Sequence, residues 1–254
     1  YAKIMKERFG AKNPESMRLR FHTQTAAATL TKPQYQVNII RTAFQALSAV
    51  LGGTQSLHTN GMDEAFAIPT EEAMKIALRT QQVIADESTV ADVVDPLGGS
   101  YYVEHLTTQM ERAIFDVIEE VDSRGGTIKL IEEGWFQRRI ADFAYETAIK
   151  KAKGEKVVLG VNKFVEPGGK VDIETHPYDP TTAQRQIERL KRVRRERNQR
   201  EVDRLLARLI EVARNENENI MPVTIELVRA GASMGEIVET LKTLWGTYRE
   251  TPVF

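Results

Sequence analysis

Two hydrophobic rhythms alternate along the first hundred residues. Met17-Arg18-Leu19-Arg20-Phe21-His22 repeats with period two, the spacing of a strand with one buried face, and its polar end passes into Thr23-Gln24-Thr25. Val37, Ile40, Phe44, Leu47 and Leu51 then recur at helical spacing. Thr31 is placed to cap that helix, Pro33 is tolerated in its first turn, and Gly52-Gly53 ends it. A second short strand, from Thr54 to Leu57, runs into His58-Thr59-Asn60-Gly61. Thr70 caps another helix, which carries Glu71 and Glu72 in its first turn and Ala73, Ile76 and Val83 along its apolar side. A repeating order of strand, polar loop and helix predicts a parallel sheet covered by helices.

Beyond residue 100 the pattern becomes helical. Asp95-Pro96-Leu97-Gly98-Gly99-Ser100 leads into a helix from Tyr101 through Leu106, Met110, Ile114, Val117 and Val121, broken by Gly125-Gly126. Helix resumes over Ile128 to Glu133 and Trp135 to Lys151, and Lys156 to Leu159 reads as a short strand. Pro167-Gly168-Gly169 and Thr175 to Pro180 form a loop region. From Thr182 to Asn215 the chain is a long amphipathic helix or helix pair, with Ile187, Leu190, Val202, Leu205, Leu209 and Val212 on its apolar side. A last helix covers Met234 to Tyr248. A complete eight-stranded barrel takes typically ~250 residues. The expected architecture is therefore α/β: the distal part of a TIM (β/α)8 barrel over residues 1–125, then a mainly helical carboxy-terminal extension over 126–254. Such an open wall exposes a sheet edge and calls for a partner segment.

Composition narrows the class. Apolar residues make up 41% and charged residues 28%, with a formal net charge of -1, which fits neither a disordered chain nor a general nucleic-acid binder. With no cysteine there is no disulfide, thiolate metal site or cysteine nucleophile, as expected of a cytoplasmic protein. No apolar run is long enough to span a membrane, so neither a membrane nor a nucleic acid is expected as a partner. The chain opens in a helix remnant without an initiator methionine, which suggests a fragment or a processed chain.

The polar residues with chemical potential sit at the strand ends, where a barrel keeps its chemistry. His22 and Gln24 combine a proton-transfer group with an amide that both donates and accepts; the alternative is that His22-Thr23-Gln24-Thr25 satisfy one another at the rim. Asn60 and Glu64 are four apart and share a face if the turn between them is helical. A carboxylate accepting from two hydroxyls suits a ribose, while helix-start electrostatics alone accounts for Asp63 and competes for Glu64. No metal site is expected, because His22, His58, His105 and His176 show no compact ligand spacing. The Asp95 to Ser100 loop lacks the lysine and spacing of a nucleotide-binding loop and reads as a tight closing turn. At Tyr101 and Tyr102, core packing at one and a rim contact at the other are expected. Arg185 to Arg208 holds ten basic residues against four acidic ones, and the preferred reading is a solvated face or subunit contact.

Several long motifs then carry a family likeness. Phe21-His-Thr-Gln-Thr-Ala, Leu51-Gly-Gly-Thr-Gln-Ser-Leu-His-Thr-Asn60, Asp63-Glu64-Ala65, Asp95-Pro-Leu-Gly-Gly-Ser-Tyr-Tyr-Val-Glu104 and Gly160-Val-Asn-Lys-Phe164 closely resemble methylmalonyl-CoA mutase large subunits, with a further likeness over Arg229 to Ile237. The resemblance implies an adenosylcobalamin-dependent radical rearrangement of an acyl-CoA, in which (R)-methylmalonyl-CoA and succinyl-CoA interconvert. It implies that Gln24 lies beside the cofactor and its deoxyadenosyl group, Asn60 near that group, Glu64 at its ribose hydroxyls, and His22 along the same cavity. The tyrosine and histidine nearest the migrating group belong to the amino-terminal barrel half. The cobalt-binding Asp-x-His-x-x-Gly signature is not reproduced by Asp172-Ile-Glu-Thr-His176. The implied partners are thus that barrel half, a small cobalamin-binding subunit that supplies the cobalt ligand, the acyl-CoA substrate and further oligomerising subunits; the chain alone is expected to be inactive. An isobutyryl-CoA or hydroxyacyl-CoA mutase is an alternative within the family, and a noncatalytic assembly or chaperone component is one outside it.

Overall fold

Backbone pairing begins at His22. Strand β1 (His22–Gln24) runs parallel to β2 (Ser56–His58), with His22 opposite Ser56, Thr23 opposite Leu57 and Gln24 opposite His58. The ladder reaches one residue further at each end, through Gln55 N–H to the Phe21 carbonyl at 3.2 Å and Thr25 N–H to the His58 carbonyl at 3.1 Å. The computed structural model describes residues 1–167 and 173–250 of the chain. These fall into two compact units, Tyr1–His176 and Pro177–Phe254. The expected division at residue 125 lies inside the first unit, whose last strand is β2.

In the first unit, helix α1 (Val37–Leu51) makes the crossover between the two strands and packs against α2 (Glu71–Glu87). This is the expected strand, helix, strand order with a parallel pair, although β1 starts later than the Met17 to Phe21 pattern suggests: Pro14–Met17 is a 3-10 turn. Thr31 does not cap α1. Its hydroxyl instead donates to the Pro33 carbonyl at 3.0 Å and accepts from Arg41 Nη1 at 2.9 Å, its N–H donates to Asn38 Oδ1 at 3.1 Å, and the helix begins six residues later at Val37. Asn38, fully buried, also donates from Nδ2 to the carbonyls of Thr31 and Met62, both at 2.9 Å. Thr70 does cap α2, accepting from Ala73 N–H at 3.3 Å. The buried stripe of α1 is Asn38, Thr42 and Ala46, whereas Ile40 and Phe44 of the expected apolar stripe are 55% and 68% exposed. Among the described residues these two side chains are uncovered, while Val37, Leu47 and Leu51 of the same stripe are half-buried.

Further along, Ser100 caps α3 (Tyr101–Ser123), Gly125 and Gly126 take positive φ and end it, and α4 (Thr127–Glu132) and α5 (Trp135–Ala152) follow. Tyr101 and Tyr102 are both exposed, so neither is a core residue: they occupy the first turn of a helix with no buried residue. The expected strand from Lys156 to Leu159 is absent; only a single bridge joins Leu159 to Lys163. Asn162 explains this. Its Oδ1 accepts from Val158 N–H at 2.7 Å and its Nδ2 donates to the carbonyls of Lys151 and Lys156 at 2.8 Å, curling the segment into a closed loop. The loop is tied to the start of α1 by Gln34 Nε2 to the Phe164 carbonyl at 2.8 Å and Arg41 Nη2 to the Leu159 carbonyl at 2.9 Å. The expected Pro167-Gly168-Gly169 loop and Asp172 lie largely outside the described residues.

In the second unit the amphipathic segment is a helix pair, α6 (Thr181–Glu196) and α7 (Gln199–Ala213), divided where Arg197 turns extended and Asn198 caps α7. Leu205 and Leu209 of α7 meet Val223 and Leu227 of α8 (Met221–Arg229) and Ile237 of α9 (Met234–Trp245) in the core, while Ile187 is exposed. Helix α8 was not expected from the sequence; its signals are Pro222 in the first turn and the i, i+4 pair Val223 and Leu227. Arg197, with its side chain only 5% exposed, joins the break between α6 and α7 to the start of α9. It grips Glu236 with both guanidinium nitrogens, at 2.8 and 2.5 Å, and donates to the Gly231 carbonyl at 3.0 Å. Glu236 also closes a capping box with Ser233.

The Arg197 hydrogen bonds, helped by those from Ser233, hold the Glu236 carboxyl far below its ordinary value of 4.5. A carboxyl whose folded pKa is depressed adds stability above its unfolded value, and that stability is lost as pH falls towards the folded value. The second unit should therefore hold steady from neutral pH to about 4.5 and weaken below it. The Glu236→Gln variant should be less stable at neutral pH and show a flatter acid limb, read from hydrogen exchange of α7 and α9 amides across a pH series. Replacing Arg197 by Ala leaves the half-buried Glu236 carboxylate with Ser233 and, at 4.0 Å, Arg194, and should cost roughly 1–3 kcal/mol in chemical denaturation.

Candidate functional site

Side chains alternate across a strand, so His22 and Gln24 share one face of the pair with Ser56 and His58. The contact at the first register pair agrees: His22 Nδ1 lies 2.7 Å from Ser56 Oγ. Thr23 takes the other face, donating to Thr54 Oγ1 at 2.8 Å. His22 and Gln24 are exposed, and Gln24, His58 and Glu64 make no side-chain hydrogen bond or ion pair among the described residues. At the carboxyl end of this parallel pair lies a set of polar groups with spare hydrogen-bonding capacity. A groove of about 470 Å³ opens beside His58, lined also by Thr59, Met74, Lys75 and Leu78.

The loop after β2 is held from three directions. Thr59, 1% exposed, donates to the Ala77 carbonyl at 2.6 Å and accepts from Gln81 Nε2 at 2.9 Å, seating the loop on α2. Asn60 accepts the Thr25 hydroxyl on Oδ1 and gives its backbone N–H to Thr25 Oγ1 at 3.0 Å. Asp63, 3% exposed, accepts from Thr70 N–H at 2.8 Å and Thr70 Oγ1 at 3.0 Å through one carboxylate oxygen. Asp63 thus serves the start of α2, the helix-start role that its position suggested. Two polar atoms in this loop are buried without a partner among the described residues, Asn60 Nδ2 and Asp63 Oδ1.

The structure brings His22 and Gln24 together on one strand face, and links Asn60 to them through Thr25, the residue after Gln24. Glu64 is half-buried in the Gly61 to Ala67 turns, where its N–H donates to the Gly61 carbonyl at 3.2 Å; no hydrogen bond or ion pair joins it to the other three. Sequence reading singled out neither Thr25 nor Thr59 as a holder of the loop. Threonines beside polar motifs are too common to signal this; only the pairing register reveals which of them meet. The Asp95 to Ser100 loop is the tight turn expected. The N–H groups of Gly98, Gly99 and Ser100 already donate to the Asp95 carbonyl, Glu104 Oε1 and the Leu97 carbonyl, which leaves no amide cradle for an anion.

An α/β chain that gathers uncommitted polar side chains at the carboxyl ends of parallel strands has the layout of a ligand-binding α/β enzyme. The sequence matches the family model described as methylmalonyl-CoA mutase over residues 1–247, and the chain belongs to that family. It is 72% identical over 254 residues to the 2-hydroxyisobutanoyl-CoA mutase large subunit of Aquincola tertiaricarbonis, covering all of this chain and 45% of that protein. It is 39% identical over 251 residues to the methylmalonyl-CoA mutase large subunit of Porphyromonas gingivalis, covering 98% of this chain and 35% of that one. With the mitochondrial methylmalonyl-CoA mutase of Homo sapiens it shares 38% over 250 residues, 98% of this chain and 33% of the human one. The chain therefore spans less than half the length of these relatives. Among the described residues, no helix is long and apolar enough to cross a membrane.

Gly61 tests how tightly the loop is built. A Cβ there would lie 2.8 Å from Asp63 Oδ1 and 3.0 Å from Pro69 Cβ. Gly61→Ala should push Asp63 off Thr70, lower stability by roughly 1–3 kcal/mol, and loosen the first turn of α2 in hydrogen exchange.

Proposed function

We propose that this chain forms the cofactor-facing part of the catalytic subunit of an adenosylcobalamin-dependent acyl-CoA mutase whose substrate is a 2-hydroxyacyl-CoA of the 2-hydroxyisobutyryl type. The observation that carries the substrate is the identity gap: 72% to a 2-hydroxyisobutanoyl-CoA mutase subunit against 37–39% to the methylmalonyl-CoA mutases. Methylmalonyl-CoA is the second reading, favoured by the description of the matching family. The β1, α1, β2, α2 order supports a place in a (β/α)8 barrel, and the uncovered Ile40, Phe44, Met110 and Ile114 suit coverage by the rest of that barrel. The partners in this reading are the amino-terminal barrel half, a small cobalamin-binding subunit that carries the cobalt ligand, and further copies of the assembly.

The residues present fit a nucleoside-bearing cofactor. Asn60 has a buried amide donor without a partner, and Gln24 and His22 offer exposed donors and acceptors on one face. Adenosylcobalamin, when bound, supplies the radical chemistry that moves the thioester-bearing group along the acyl chain. The chain's own residues would orient it: Gln24 and His22 would hydrogen-bond its edge, Asn60 would donate to the adenosyl group, and the Glu64 carboxylate would accept from ribose hydroxyls. The fixed loop keeps these groups from relaxing around a misplaced ligand, and closing such a site excludes water and other quenching reactions.

The assay is turnover by the complete mutase containing this chain, with adenosylcobalamin under anaerobic conditions. The expected result is conversion of 2-hydroxyisobutyryl-CoA to its unbranched isomer with kcat/KM about tenfold or more above that for (R)-methylmalonyl-CoA. The chain by itself should turn over neither. A preference for methylmalonyl-CoA would replace the substrate proposed here, and turnover by the isolated chain would refute its being part of a larger site.

A further inference from the structure

We infer that Thr25 is the positioning residue that fixes the side-chain amide of Asn60, so that its NH2 is presented as a donor to an acceptor atom of a nucleoside. The inference rests on the cofactor reading above and deepens it. Thr25 is 5% exposed and Asn60 2%. Two hydrogen bonds run between them: Asn60 N–H donates to Thr25 Oγ1 at 3.0 Å, and the Thr25 hydroxyl donates to Asn60 Oδ1. A hydroxyl has one proton. Because the Asn60 N–H takes a lone pair of Oγ1, that proton remains to be given, and Oδ1 is the acceptor within reach. Turning the amide over would set its NH2 against a hydroxyl that already accepts, and leave both the hydroxyl proton and Oδ1 in need of new partners. Asn60 therefore has one preferred orientation, set by Thr25.

In that orientation Nδ2 is buried and makes no hydrogen bond among the described residues. A buried amide donor without a partner is unfavourable, and an acceptor brought by a ligand removes the penalty. The holder itself is rigid, since Thr25 N–H donates to the His58 carbonyl at 3.1 Å and so continues the strand register. The ligand atom is thereby limited to an acceptor, such as a ribose oxygen or a purine ring nitrogen. Glu64, whose carboxylate accepts, complements this by taking hydroxyl protons. One oriented donor and one acceptor together discriminate a nucleoside from a bare corrin.

The test compares dissociation constants of two cobalamins, adenosylcobalamin and hydroxocobalamin, for the complete mutase containing this chain, followed by visible absorbance. Thr25→Val removes the hydroxyl and should weaken adenosylcobalamin by about tenfold while hydroxocobalamin changes by less than about twofold; Thr25→Ser keeps the hydroxyl and should stay within about twofold of wild type. In an Asn60→Ala background, Thr25→Val should add no further loss, as expected for two residues acting as one unit. Unchanged adenosylcobalamin binding in Thr25→Val, equal weakening of both cobalamins, or additive losses in the double variant would each overturn the positioning role. Equal affinity of the wild type for the two cobalamins would instead remove the cofactor reading, and the role of Thr25 with it.

Discussion

A parallel strand pair leaves a row of backbone N–H and C=O groups unpaired along each outer edge, and the first unit is shaped by that constraint. Side chains meet part of the need. Gln55 Oε1 accepts from Phe21 N–H at 2.8 Å, and Thr54 Oγ1 donates to the Ser56 carbonyl at 2.9 Å. Helix α1 covers the pair on its way from β1 to β2, but with a stripe of Asn38, Thr42 and Ala46 in place of large apolar residues. Ile40 and Phe44 face outward with nothing over them among the described residues. Burying a side chain of that size stabilises a fold by about 1.5–3 kcal/mol, so leaving several exposed is costly for a structure standing by itself. The same residues become assets once another layer packs against α1.

With so little apolar burial near the strands, polar contacts set the local geometry. Asn38 uses both ends of its amide to hold the Thr31 turn and the Met62 carbonyl; Thr59 ties the loop to α2; Asp63 starts that helix. Such contacts are directional where dispersion is not, so they define one loop conformation rather than a family of them. The second unit is built differently. There a leucine-rich core spans α7, α8 and α9, and one paired charge, Arg197 with Glu236, fixes the break between α6 and α7 against the start of α9.

How much of this the sequence disclosed follows the same division. Regular periodicity and strong terminators were legible: Thr70 as a cap, Gly52 and Gly125-Gly126 as stops, and Val202, Leu205 and Leu209 as a core stripe. The two strands were legible as strands, but their limits shifted, β1 starting at His22 in place of Met17 and β2 at Ser56 in place of Thr54, because at three residues each they are defined by their partner and not by their own pattern. Thr31 was misleading because local partners, the Pro33 carbonyl and the Arg41 guanidinium, take up its hydroxyl. The short strand expected at Lys156 to Leu159 failed for the same reason: a local amide, Asn162, offers the backbone a better set of bonds than a sheet that has no neighbour there. Helix α8 is nine residues long and follows a polar run, too short for its period to stand out.

The candidate site obeys a rule that only the pairing register makes visible. On one face of the strands and below their ends, polar side chains are consumed: Thr23 by Thr54, Thr25 by Asn60, Thr59 by Ala77 and Gln81. On the other face and at the tips His22 and Ser56 pair with each other, while among the described residues Gln24 and His58 keep their hydrogen-bonding capacity and Asn60 keeps one donor. A protein that merely needed soluble strand ends would have no reason to lock the first group so firmly. Fixed neighbours are what turn spare donors and acceptors into a preorganised site, because a ligand then meets groups whose directions were set during folding and gains their hydrogen bonds without reordering them. Thr25 and Asn60 are therefore better understood as a pair, one threonine that holds and one amide that is held, than as separate residues.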